Sequence, residues 1–299
     1  MKRLLVVRLS ALGDVIHTIP AVVGIRDEFQ IGWAVESPYR ELVEVVAQVQ
    51  AIPVSLKRWS IANIRTARRA VRGHDVAIDF QGLFKSSLLS WSSGAVERYG
   101  FSRDFIREKP AAWLVNRRVA IDPSKHVVEW NIELARAIAP LITDIPRVDF
   151  SAFAANGPSG FERRIVLNPG AGRADKQWPV EHFRELARRI GKEALVVWGP
   201  GERSLAEAVG AELAPPTTLR ELARLLRNAR LVIAGDTGPL HLAAALRTPV
   251  VGLYGPTSPA RNGPYGQLAN CVETFTTNRS MTSIDVDAVM RKMKEVLSP

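Results

Sequence analysis

The sequence predicts an α/β protein of two doubly wound, Rossmann-like domains, and three observations carry that expectation. Short apolar runs alternate with segments of helical periodicity in both halves of the chain. The alternation breaks once, at residues 151–160, where Ala, Asn, Gly, Pro and Ser crowd together with no apolar period, as in a linker. The length, 299 residues, suits two domains at roughly 100 to 200 residues each.

The elements follow in order. The run Leu4 to Val7 predicts a strand and Ser10 to Gly13 a turn, and Val15, Ile16, Ile19, Val22 and Val23 recur at helical spacing. A short strand near Gly32 to Glu36, helices over Glu41 to Val49 and Ile61 to Val71, and a strand at Val76 to Phe80 complete the reading of the first half. After the break, strands are expected at Arg164 to Leu167, Ala194 to Trp198, Leu231 to Ala234 and Val250 to Tyr254. Between them, helices are expected at His182 to Ile190, Leu219 to Leu226 and His241 to Leu246. In the tail, Thr282 and Asp285 are spaced as a capping box, and Val286, Val289, Met293 and Val296 share one helical face. The expected domains are 1–155, 156–280 and a closing helical segment, 281–299.

Composition narrows the function. A hydrophobic content of 46% and a mean hydropathy near zero exclude disordered and collagen-like chains. The single cysteine, Cys271, has no partner for an internal disulfide, which favours a reducing, cytoplasmic compartment. Arg8 and Asp14 interrupt the first apolar stretch before it resembles a secretory signal, and no segment has the apolar length to span a bilayer. The net charge of +10 and pI near 10.2 predict an anionic partner: nucleic acid, a phosphorylated small molecule or an acidic membrane surface. The excess is shared, +5 on each side of residue 156, but Lys57, Arg58, Arg65, Arg68, Arg69 and Arg72 follow one another with no acid between them. Four of these arginines form a stripe at i, i+3, i+4 and i+7, either a solvated face or a surface for an anionic acceptor or lipid headgroups.

In open α/β sheets ligands sit beyond the carboxyl ends of the strands, so the chemistry is sought there and in the cleft that two such domains would share. Ser10-Ala11-Leu12-Gly13-Asp14 ends the first strand and offers Asp14 either as a general base or as a helix cap. Asn168-Pro169-Gly170-Ala171-Gly172 is a glycine-rich turn suited to phosphate, and Lys176 beyond it supplies a point charge. Gly235-Asp236-Thr237-Gly238-Pro239-Leu240-His241 runs from a strand into a helix whose first amides and positive end suit a diphosphate. Asp236 would repel a phosphate at close range, so capping the helix or orienting Lys176 or a sugar hydroxyl is the expected role. Glu202, after Trp198-Gly199-Pro200-Gly201, is suited to ribose hydroxyls or to starting a helix. Asp79-Phe80-Gln81-Gly82-Leu83-Phe84-Lys85-Ser86 repeats the strand-end pattern, with Gln81 or Lys85 as acceptor contacts or exposed residues. No Walker loop, no Gly-x-Gly-x-x-Gly, no zinc-spaced His and Cys and no nucleophile elbow occurs.

Gly13-Asp14, Lys176-x-Trp178-Pro179 and Asp236-Thr237-Gly238-x-x-His241, in this order and separation, resemble the family 9 glycosyltransferases, the heptosyltransferases of bacterial lipopolysaccharide. The likeness covers nearly the whole chain. Asp79-x-Gln81-Gly82-Leu83-x-Lys85-Ser86 and the pair Arg58-Trp59 look more like the branch that adds the first heptose than the branch that adds the second. His126-Val127-Val128-Glu129-Trp130-Asn131 departs from the pattern, which has Arg where Trp130 stands.

The resemblance implies a GT-B architecture: an acceptor domain, a nucleotide-sugar domain facing it across a central cleft, and a last helix returning toward the first. It implies inverting, metal-independent and cofactor-free transfer of heptose from ADP-heptose to Kdo of Kdo2-lipid A. By the same analogy Asp14 is the base, and Lys176, Thr237 and Gly238 hold the diphosphate, with Gly170 and Ala171 beside them. Glu202 contacts ribose, Asp236 and His241 line the donor site, and Ser10, Gly13, Arg58 and Lys85 complete the substrate contacts. A monomer on the inner face of the cytoplasmic membrane is expected. The alternatives are a second-heptose enzyme, another ADP-sugar transferase of this fold, or a basic nucleic-acid-binding protein. The last would need aromatic stacking platforms or a reading motif, and the sequence has neither, so no specific nucleic acid is expected.

Overall fold

The structure, a computed structural model, describes residues 1–55, 61–106, 108–154 and 157–298. It divides into two units, Met1–Val148 and Asp149–Pro299.

The first unit is a parallel sheet in the order β3-β2-β1-β4-β5-β6. Its strands are β1 (Lys2–Val7), β2 (Phe29–Val35), β3 (Gln50–Pro53), β4 (Val76–Asp79), β5 (Glu97–Phe101) and β6 (Arg117–Val119). They are connected through α1 (Leu12–Ile25), α2 (Arg40–Leu42), α3 (Ile61–Ala70) and α4 (Phe84–Ser92), and α5 (Val127–Arg136) follows β6. β1 is sandwiched by β2 and β4, with Leu5 beside Gly32 and Ala77, which is why Leu4 to Val7 reads as an unbroken apolar run. Leu5, Val7, Ala34, Ala67, Val71, Ala77 and Leu89 form a core between this sheet and α3 and α4.

The second unit repeats the topology as β12-β11-β10-β7-β8-β9. Its strands are β7 (Ile165–Asn168), β8 (Ala194–Val196), β9 (Glu212–Leu213), β10 (Leu231–Gly235), β11 (Val250–Tyr254) and β12 (Cys271–Glu273). Its helices are α6 (Val180–Ile190), α7 (Arg203–Val209), α8 (Leu219–Asn228), α9 (Gly238–Ala245), α10 (Pro259–Asn262) and α11 (Val286–Leu297). In each sheet the strand order reverses at the centre, between β1 and β4 and between β7 and β10, and such switch points are where α/β sheets open a crevice for ligands.

Three expectations change. The helix expected over Glu41 to Val49 is one short helix, α2, followed by a single wide turn, Val43–Ala47. Gln48 then takes a left-handed φ of 57° and turns the chain into β3, a strand the apolar pattern did not reveal. The 151–160 segment is not an open linker over its described part. Phe150, Phe153 and Ala154 are buried, and the Ser151 and Ala152 carbonyls accept from Arg227 and Arg220 of α8.

The tail also differs. Asp285 caps α11 by accepting from Asp287 N–H, and Thr282 lies in a short turn before it. Expected as a separate segment returning toward the first domain, this helix is built into the second unit. Met281, Ile284, Val286, Val289 and Met293 join Trp178, Phe183 and Leu186 in one core. Trp178 Nε1 donates to the Ile284 carbonyl at 2.9 Å, fastening the turn before α11 to the start of α6.

Trp178→Ala removes a side chain that is 1% exposed together with that hydrogen bond. It is expected to cost about 3 to 5 kcal/mol, measured as a lower midpoint in urea unfolding of the purified protein. Trp178→Phe, which keeps most of the volume, is expected to lose less than half as much.

Candidate functional site

In the first unit the site begins where β1 ends. Ala11 occupies the N-cap position of α1 but has no side chain able to cap, and Asp14 takes over by accepting from Ala11 N–H through Oδ2 at 3.2 Å. The capping reading of Asp14 is met, because the carboxylate closes the first helical turn, and its side chain is 34% exposed. Its other oxygen, Oδ1, lies 2.5 Å from Nη2 of Arg8, whose side chain is 7% exposed. Ser10 is half-buried in the turn between them and Gly13 is buried in the first turn of α1.

The turn is held from beneath by the neighbouring strand end. Leu9 N–H donates to Gln81 Oε1 at 2.8 Å, and Arg8 Nη1 donates to the Phe80 carbonyl. Asp79, fully buried, accepts from the amides of Gln81 and Gly82 and from the hydroxyls of Ser86 and Ser87. Burial pushes its carboxyl up, and those four donors only partly offset the shift. Gln81 is thus a strut of the β1–α1 turn, its side-chain carbonyl already taken. Lys85, on the first turn of α4, is half-buried among Ile64, Ala67, Arg68 and Leu88. Arg58 lies outside the described residues.

The stripe on α3 emerges as read: Arg65, Arg68, Arg69 and Arg72 are exposed, Ala67 and Val71 are buried, and Arg68 stacks over the Trp91 ring at 5.7 Å. Trp130 is buried, with Nε1 donating to the Asp122 carbonyl at 2.7 Å. Asn131 Nδ2 donates to the His17 carbonyl at 3.0 Å, tying α5 to α1. The Asp79 and Trp130 motifs consequently serve the scaffold around Asp14.

In the second unit the centre is Asp236, the residue after β10. Lys176 Nζ donates to its Oδ2 at 2.7 Å and His241 Nε2 to its Oδ1 at 3.0 Å. The carboxylate can only accept, so Nε2 of His241 carries the proton in this contact. Burial alone would raise Asp236, but the hydrogen bond and charge of His241 and the charge and hydrogen bond of Lys176 outweigh it and hold the carboxyl well below the usual range.

Thr237 caps α9 by position but not by side chain, since Oγ1 instead accepts from Asn168 Nδ2 at 3.1 Å. Pro239 has no N–H to place, and the first-turn amides of Gly238 and Leu240 receive no bond from the cap side chain. An ammonium, a hydroxyl and helix-start amides are thereby brought together, a set suited to a diphosphate.

Glu202 lies across Gly170. Its Oε2 accepts from Gly199 N–H at 2.8 Å, and a Cβ at Gly170 would fall 2.3 Å from that oxygen. A side chain at Gly170 would displace the Glu202 carboxylate, which lies beside the turn that carries Ala171 and presents an acceptor for hydroxyls. Among the described residues no group of three or more His, Cys, Asp or Glu side chains is placed to hold a metal ion. Among them, too, no helix is long and apolar enough to cross a membrane.

Sequence reasoning missed Arg8, noted only as an interruption of an apolar run, and Asn168, noted only as the start of a glycine-rich turn. The signal for each was its place: both are polar residues at the end of a central strand beside a switch point.

Comparison with known proteins agrees with this geometry. Residues 64–287 match the family described as glycosyltransferase family 9 (heptosyltransferase). Lipopolysaccharide heptosyltransferase 1 of Escherichia coli K12 is 30% identical, covering 98% of this chain and 100% of the relative. Lipopolysaccharide heptosyltransferase 2 of the same strain is 28% identical over 76% of this chain and 74% of its own length. The solved structure of E. coli heptosyltransferase WaaC with ADP superposes with a TM-score of 0.82 at 30% identity, covering 98% of this chain and 99% of that one. The complex of WaaC with ADP-2-deoxy-2-fluoro heptose gives 0.81 at 29% identity, with the same coverage.

The depressed Asp236 carboxyl makes a pH prediction. Its folded value lies below its unfolded one, so its stabilising contribution is complete above the ordinary carboxylate range, near 4, and is lost as pH falls below that range. Urea unfolding of wild type and Asp236→Asn is expected to show the wild type more stable at pH 7, with the difference shrinking as pH is lowered toward 3.

Proposed function

The chain belongs to glycosyltransferase family 9, and we propose that it moves L-glycero-D-manno-heptose from ADP-heptose to Kdo of Kdo2-lipid A in synthesis of the lipopolysaccharide inner core. It is an enzyme, a transferase of the GT-B class built on two Rossmann-like units. The observation that carries the reading is the Lys176–Asp236–His241 cluster at the start of α9, in a chain matched end to end by the first-heptose enzyme of E. coli. Sequence likeness over 98% of this chain to that relative, against 76% to lipopolysaccharide heptosyltransferase 2, favours Kdo over a heptosylated acceptor.

In this mechanism Asp14 accepts the proton of a Kdo hydroxyl as that oxygen bonds to the anomeric carbon of the heptose. The bond from that carbon to the diphosphate oxygen breaks on the opposite face, inverting the centre and releasing ADP. The negative charge gathering on the diphosphate is met by Lys176 and the Thr237 and Gly238 end of α9, with no metal required in the scheme. Asp236 holds the Lys176 ammonium in place, and the tie to His241 fixes the carboxylate that does so. Glu202 accepts from the ribose hydroxyls.

An acceptor embedded in a membrane demands that the enzyme reach it. We propose a monomer attached peripherally to the inner face of the cytoplasmic membrane, drawn to anionic headgroups by the basic first unit.

Three measurements test the reading. Purified protein given ADP-heptose and Kdo2-lipid A is expected to add one heptose by mass, whereas heptosylated core as acceptor, or ADP-glucose as donor, is expected to give no product; the reverse pattern would replace the substrate assignment. Asp14→Asn is expected to lower kcat at least about 100-fold with ADP affinity by calorimetry unchanged, and normal turnover would remove the base. Lys176→Ala is expected to weaken ADP binding about 10- to 100-fold, as loss of a charge-assisted contact does.

A further inference from the structure

Arg8 is an expensive residue for its position. Its side chain is 7% exposed, its Nη1 donates to the Phe80 carbonyl, and its Nε is buried with no hydrogen-bond partner. A guanidinium taken out of water with one donor unmatched is a poor way to fill space, and an apolar side chain of similar volume often packs such a place at no loss. Besides binding the Phe80 carbonyl, what the guanidinium does there that an apolar group cannot is hold Oδ1 of Asp14 at 2.5 Å.

The grip is complete on both sides. Oδ2 of Asp14 is occupied by Ala11 N–H, so neither carboxylate oxygen turns without breaking a contact. Arg8 is itself fixed at its root, because its carbonyl accepts from Trp33 Nε1 at 3.1 Å and its N–H donates to the Ala34 carbonyl. The next residue, Leu9, is tied through its amide to Gln81, which is in turn tied to the buried Asp79. From the other side, Tyr39 hydrogen-bonds the Leu12 backbone and its phenol is pushed up, by burial first and then by the charges of Glu36 and Asp14. On α1 itself His17 is buried one turn beyond Asp14, its ring packed edge-on against His126 of α5 at 5.2 Å. Arg8 is thus the cation that faces Asp14, and Glu36 is the second carboxylate in the neighbourhood.

We propose that Arg8 is a positioning residue for proton removal: its guanidinium, set against Oδ1 while Ala11 N–H holds Oδ2, aims the Asp14 carboxylate. The proposal rests on Asp14 being the base. It assigns the Asp79-x-Gln81-Gly82 motif to the same task, as the footing under the Arg8 turn.

The test compares wild type, Arg8→Met, Arg8→Lys and Asp14→Asn as full-length protein. Arg8→Met is expected to lower kcat about 10- to 100-fold, with KM for ADP-heptose and ADP affinity unchanged. Arg8→Lys, which keeps a cation able to donate to Asp14, is expected to restore most of the rate, an effect that simple repair of packing would not produce. Should Arg8→Met fail to fold by circular dichroism, Arg8→Gln carries the same comparison, since it retains a donor for the Phe80 carbonyl without the charge. A folded, neutral Arg8 variant with wild-type kcat, alongside an inactive Asp14→Asn, would overturn the role of Arg8 alone. Normal turnover by Asp14→Asn would take down the base assignment and this proposal with it.

Discussion

Everything assigned to the second unit depends on one charge being kept where burial opposes it. Asp236 stands at the end of a central strand with its side chain 10% exposed, and it remains a carboxylate because an ammonium and an imidazole N–H each occupy one oxygen. The dependence runs both ways. Lys176 comes from a loop after β7 and His241 from the first turn of α9, so the carboxylate ties the two strand ends that flank the switch point. In the proposed reaction a diphosphate would meet a Lys176 already held by Asp236 and would not have to order it, which is how a preorganised site lowers the cost of binding.

The first unit solves a similar problem at the corresponding place. Its central strand also ends in a cation and a carboxylate, Arg8 and Asp14, but their exposure is reversed. In the second unit the carboxylate is the more buried partner and the lysine faces outward, at 19% exposure; in the first the arginine is buried and the carboxylate is open. That inversion suits the two tasks. In the proposed roles, the group that neutralises a departing anion is a cation held by a hidden acid, and the group that accepts a proton is an acid held by a hidden cation.

Much of this was legible in the chain. The alternation of Leu4 to Val7 with the period of α1, and the same alternation after residue 160, gave two parallel sheets because strands buried on both faces leave unbroken apolar runs. Asp14, Lys176, Asp236, Thr237 and His241 were legible because glycine, proline and capping residues mark the strand ends where they sit. What stayed hidden was whatever depends on contacts distant in sequence. Short edge strands such as β3, β6 and β9 carry too few apolar residues to signal themselves. The packing of residues 150–154 against α8 cannot be read from a stretch rich in alanine and glycine. Gly170 looked like a phosphate cradle, and only coordinates show that its missing side chain makes room for Glu202.

Asp79 and Asp236 show why residue type alone cannot separate scaffold from site. Both follow the same pattern, an aspartate at or just past the end of the strand next to the switch point, and both are largely buried. Asp79 is met only by neutral donors, two amides and two hydroxyls, and its carboxyl is pushed up; all its bonds stay within one turn and one helix. Asp236 is met by Lys176 and His241 and is held down, and the groups around it, Lys176 Nζ and the first amides of α9, have bonding capacity left for a ligand. The sign of the perturbation follows from whether a cation is present, and a cation with donors to spare is what an anionic substrate can use. Arg8 and Asp14 share with Lys176 and Asp236 the pairing of a cation and a carboxylate beyond a central strand, and the conspicuous Asp79 motif braces the Arg8 turn through Gln81.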